Sequence, residues 1–172
     1  MGMNNKISHL IVLVLLAVAV SSCGAARKTV SSTTAPASAP ASITQMGTAT
    51  DGSYIVSVTQ SGASVAAALQ KAKKEAVRAV LFDGLTSSVS TTIQKPIVAD
   101  RAAEIQYGEY FAKFFNEGGA YLNFVAETPG RTVVPVKTGS GYKITIFLTV
   151  KKDALRKEME NNGIIKKLGQ GL

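Results

Sequence analysis

Residues 142–150 read YKITIFLTV. Tyr142, Ile144, Ile146, Leu148 and Val150 fall on every second position. A period of two is the mark of a strand with one face in a core and one in solvent. A sheet with one buried face needs a second layer to cover it. The flanking sequence then has to supply neighbouring strands and a helical cover.

Strands lie just upstream. The segment KTGSG (137–141) joins this strand to RTVVPV (131–136), and TPG (128–130) joins that in turn to AYLNFVAE (120–127). Turns this short predict antiparallel pairing between successive strands. Pro135 has no N–H for a ladder, so 131–136 is expected to be irregular or to lie at an edge. Downstream, KKDALRKEMENNG (151–163) reads as a helix with Asp153 as candidate N-cap, Leu155 and Met159 facing inward, and Gly163 at its end. Further upstream, SYIVSVTQ (53–60) alternates with Tyr54, Val56 and Val58 on one face.

Two more helices are predicted between these strands. Residues 64–84 start at Ser64, a suitable N-cap, and stop at Gly84. Val65, Leu69, Ala72, Ala76 and Val80 form a stripe rich in alanine, which lets a helix lie close to a sheet. Lys71, Lys74 and Arg78 lie on the opposite face, and this basic face is a candidate partner surface. Residues 100–119 form the second helix, with Tyr107, Phe111 and Phe114 or Phe115 on a core-like face. Tyr107, Tyr110, Phe111, Phe114 and Phe115 are more aromatics than one narrow stripe needs, so Tyr107 and Tyr110 are candidates for a partner surface. Residues 85–99 are a long polar connection; loops of this length are functional or mobile, and this one is a further candidate contact region. The order strand, helix, helix, three strands, helix predicts an α+β two-layer sandwich. Its sheet is mainly antiparallel, with 3–4 strands under 2–3 helices.

The N-terminal part is of another kind. Residues 10–20, LIVLVLLAVAV, are apolar without a break and follow a polar start carrying Lys6. That run is too short to span a bilayer and fits the apolar core of a secretory signal. Val20-Ser21-Ser22-Cys23 resembles the bacterial lipobox, in which the cysteine is acylated and becomes the new N-terminus. Cys23 is the only cysteine in the 172 residues. The resemblance implies a lipoprotein signal peptide over 1–22 and a mature protein held on a membrane by its acyl chains. Each buried methylene contributes about 0.8 kcal/mol, so several chains hold firmly where one is marginal. Gly24, in place of an aspartate after the cysteine, fits sorting to the outer membrane, with the domain facing the periplasm. Residues 24–50 are rich in Ala, Ser, Thr and Pro, so 23–50 reads as acylated cysteine plus flexible tether, with a reach of about 30 Å. One domain is expected over 51–165, followed by a tail over 166–172.

Composition narrows the chemistry. Without residues 1–22 the chain keeps eighteen Lys and Arg against eleven Asp and Glu, and its only histidine, His9, is gone. Triads built on His, and zinc sites built on His and Cys, are therefore excluded in their usual forms. No phosphate loop or dinucleotide fingerprint is present, and no cofactor or metal is expected. Paired carboxylates remain: Asp100 and Glu104 are four apart on a predicted helix, and Glu127 ends a predicted strand. A helix start favours such negative charge without any catalytic role. The basic balance suits anionic head groups or cell-wall polymer, or simply a solvated surface. An exported, anchored chain is not expected to bind nucleic acid.

Two stretches carry a family resemblance. ALQKAKKEAVRAVLFDG (68–84) follows an N-terminal strand, and YKITIFLTVKKDALRKEMENNGI (142–164) runs from a strand into a short helix ending in Gly-Ile. Together they resemble the N-terminal domain of flagellar assembly protein T and the small outer-membrane lipoproteins that share it. The resemblance spans roughly residues 52–165. It implies a small periplasmic α+β domain that binds envelope components or itself, and it implies no reaction. The reading that follows is a lipid-anchored envelope interaction or assembly module without catalytic activity. Its partner would be an envelope protein or a cell-wall component. The alternatives are a self-assembling structural lipoprotein pairing through edge strands such as 131–136, and a carboxylate-dependent enzyme acting on wall glycan.

Overall fold

The alternating segment at 142–150 lies in the middle of the sheet. A computed structural model describes residues 40–91, 93–167 and 169. Strand β5 (Gly141–Val150) pairs along its length with β2 (Tyr54–Gly62), from Tyr54 opposite Val150 to Gly62 opposite Tyr142. Strand β1 (Ser42–Thr48) pairs with the other side of β2. The far side of β5 is shared: β3 (Val125–Glu127) pairs with its end and β4 (Val134–Thr138) with its start. All pairs are antiparallel. The sheet is therefore α+β as expected, with five strands where the pattern predicts three or four.

One face of this sheet carries the core. Tyr54, Val56 and Val58 of β2 are buried beside Ile144, Ile146, Leu148 and Val150 of β5. Helix α1 (Val65–Arg78) lies across them and continues into one π-helical turn at Ala79–Asp83. Ser64 caps it, its hydroxyl accepting from the Ala67 N–H at 3.1 Å. Ala68, Ala72 and Ala76 are fully buried, so the alanine stripe does set the close approach to the sheet. Gly84 ends the turn at φ +76°, a conformation that favours glycine. Helix α4 (Lys152–Asn161) buries Leu155 and Met159 and stops before Gly163 at φ +69°.

Five local readings need correction. The strand β1 lies inside 23–50, so the segment assigned to the tether contributes an edge strand to the domain. Its sequence, SITQMGT, is mostly polar because an edge strand buries little; only Gln45 is buried there. The single helix over 100–119 is two: α2 (Ala102–Gln106) and α3 (Gly108–Phe114). The break falls at Tyr107 (φ −103°, ψ 30°), before a glycine, whose helix propensity is poor. Residues 120–127 begin as a 3-10 turn (Ala120–Phe124), and only the last three form β3. β3 and β4 both pair with β5, although TPG suggested a hairpin between them. Asp153 also sits in the first turn of α4, and Lys151 takes the cap position.

The long connection 85–99 is held at both ends by main-chain bonds. Leu85 and Gln94 exchange two N–H···O bonds of 2.9 and 2.8 Å. Val98 N–H donates to Leu81 at 2.8 Å, and both Leu85 and Val98 are buried. Gln45 of β1 donates to Thr86 O and accepts from Ser88 N–H, so the connection covers the middle of the β1 edge.

Candidate binding groove

The basic face of α1 and the aromatic helix α3 lie side by side. Lys71, Lys74 and Arg78 are three and four residues apart, which stacks them on one side of α1. Between that side and α3 runs an open groove made of two joined depressions, of about 410 and 340 Å³. Lys74, Phe115 and Asn116 line both. Arg78, Glu104 and Phe111 line one end, and Gln70, Lys71, Glu117 and Tyr121 the other.

The floor is aromatic but nearly closed. Phe111, Phe115 and Tyr121 are 6%, 7% and 3% exposed, so little of each ring meets solvent. These rings belong to a packed cluster: Phe82 meets Phe111 edge-on at 5.0 Å, and Phe114 meets Phe115 at 4.9 Å. The rim is polar. Arg78 Nη2 reaches Glu104 Oε1 at 2.6 Å, and its guanidinium lies 5.3 Å from the Phe82 ring centre. Lys74 Nζ is 5.9 Å from the Phe115 centroid. Among the described residues neither Lys71 nor Lys74 has an acidic partner. The Tyr121 hydroxyl donates to Gln70 Oε1 at 3.4 Å. Burial, and then the charge of Glu117, push its ionisation above the usual tyrosine range, so it remains a donor.

The structure brings Lys71, Lys74 and Arg78 to this groove and leaves Tyr107 and Tyr110 elsewhere. Tyr107 donates to Gly163 O at 3.0 Å and Tyr110 to Glu158 Oε1 at 3.2 Å, so both fasten the aromatic segment to the end of α4. Burial and the Glu158 carboxylate hold Tyr110 protonated far into the alkaline range. Asp100, Glu104 and Glu127 have separate partners. Asp100 accepts from the Ala102 N–H at 2.9 Å, Glu104 pairs with Arg78, and Glu127 pairs with Lys73 at 3.0 Å. Among the described residues no three groups of the metal-binding types cluster, and no helix is long and apolar enough to cross a membrane. Cys23 and the signal segment lie outside the described residues.

Sequence reasoning missed Gln70, Phe115 and Asn116 as groove residues, and Glu104 as the counter-ion of Arg78. The basic face and the aromatic excess were both visible, but their adjacency is a tertiary fact. Comparison with known proteins returned no matching family model, no matching curated protein and no matching solved structure.

Proposed function

We propose that this protein is a lipid-anchored interaction module of the bacterial outer membrane, facing the periplasm, and that it works by binding and not by catalysis. The observation that carries this reading is the groove between α1 and α3, with two ammonium groups on its rim, Lys71 and Lys74, that have no acidic partner among the described residues. The lipobox-like Val20-Ser21-Ser22-Cys23 supplies the anchor. Holding the domain within a surface layer raises its effective concentration for partners in that layer. The resemblance to the N-terminal domain of flagellar assembly protein T is part of the same proposal and points to envelope components as partners.

Self-association through β4 has less support. Pro135 removes a donor from this five-residue edge and Lys137 places a charge on it, both features that discourage strand addition. Chemical cross-linking of intact cells, followed by mass spectrometry, tests the reading. Repeated links to one envelope component, with an acylated Cys23 at the mature N-terminus, are expected. Links between copies alone, or an unmodified N-terminus cut elsewhere, would overturn it.

A further inference from the structure

We infer that the groove takes a short extended peptide with one carboxylate side chain in its middle and apolar side chains on either side. This rests on the binding-module reading and adds the class of ligand.

Length comes first. From Ala67 to Arg78 the groove follows α1 for eleven residues, about 16 Å at 1.5 Å per residue. An extended chain covers that distance with about five residues. Charge comes next. Lys71 and Lys74, near the centre, have no acidic partner among the described residues, whereas Glu104 stands at one end and Glu117 at the other. A single central carboxylate meets the two ammonium groups. A run of carboxylates would face repulsion at both ends, so a polyacidic tail is disfavoured. The floor supplies the apolar part, since Phe111, Phe115 and Tyr121 line it.

Two side-chain amides favour a peptide over other anions. Gln70 and Asn116 are exposed on the rim and carry both donors and acceptors, the complement of a peptide main chain. A sugar or a nucleic-acid base would need an open ring face to stack on, and no floor ring is more than 7% exposed. A bilayer surface attracts clusters of about 4–8 Lys and Arg, and among the described residues only three basic side chains line this groove, one of them paired with Glu104.

The test uses the full mature chain in detergent, screened against an array of random pentapeptides. Muropeptides and anionic phospholipid vesicles serve as parallel probes. Selected peptides are expected to carry one Asp or Glu among aliphatic or aromatic residues. Lys71→Glu with Lys74→Glu is expected to weaken them about 5–30-fold, because two attractions become repulsions. The neutral pair Lys71→Ala with Lys74→Ala is expected to show a smaller loss, and Lys137→Glu on β4 none. Circular dichroism confirms that each variant is folded. Polyacidic or uncharged selections, selections insensitive to both groove pairs, or preference for muropeptides or vesicles would overturn the inference. Cellular cross-links without an acidic preference would sink the ligand class alone. Failure of anchoring would leave the array result unaffected.

Discussion

Leu155→Ala tests whether α4 is docked as the second layer requires. Helix α4 buries only Leu155 and Met159, both without solvent exposure. Truncation removes three carbons from that contact, about 2.4 kcal/mol of transfer free energy at ~0.8 kcal/mol per methylene. The unrelaxed part of the cavity raises the loss to about 3–5 kcal/mol. Whole domains are stable by only ~5–15 kcal/mol, so the loss is a large fraction. In urea titration the midpoint is expected to fall with the slope unchanged, and the melting temperature to drop by on the order of 10 °C. Arg156→Ala is the control. It removes a partly exposed pair with Glu160 at 3.1 Å, and a loss under about 1 kcal/mol is expected. A loss below about 1 kcal/mol for Leu155→Ala would refute the docking of α4 and the packing derived from it.

At Gly62 an added Cβ would stand 2.6 Å from the Ala68 main-chain nitrogen, where β2 turns into α1. Gly62→Ala is expected to destabilise by about 1–3 kcal/mol in the same titration, and a neutral result would contradict the close approach. Tyr110 is held protonated in the fold, whereas its unfolded pKa is about 10. Above pH 10 the unfolded chain therefore binds fewer protons than the folded one, and stability falls as pH rises. Tyr110→Phe is expected to make that alkaline fall shallower in stability measured from pH 8 to 11.5. An unchanged slope would show that the Glu158 contact and burial do not perturb this group.

The parts of the fold set by side-chain period were legible in the sequence. The alternation in β5 and β2, Ser64 as a cap, and Leu155 with Met159 hold as read; the stripe of α1 holds at Ala72, Ala76 and Val80, while Ala68 and Val77 are buried and Val65 and Leu69 only half-buried. The parts set by main-chain pairing were not. β1 is hidden in a Ser/Thr-rich stretch because this edge strand is mostly only half-buried and carries no apolar alternation, Ile43 being its one aliphatic residue against the core. The connection 85–99 is fixed by backbone bonds to Leu81 and Gln45, which leave no trace in side-chain pattern. Gly108 was a visible warning of the break between α2 and α3, outweighed by the aromatic spacing around it. For the groove, Lys71, Lys74 and Arg78 were found because helical spacing groups them. Tyr107 and Tyr110 lie away from the groove, and a 3.6 period does not reveal that Gly163, just past α4, and Glu158 within it accept from their hydroxyl groups.

The most direct test of the groove as the working surface is site-specific photo-cross-linking in living cells. A photoreactive residue replaces Lys71 on the groove rim in one strain and Lys137 on the β4 edge in another. Discrete adducts with an envelope component are expected from position 71 and none from position 137. Adducts from position 137 with a second copy of the chain, and none from position 71, would contradict the groove and move the function to the sheet edge.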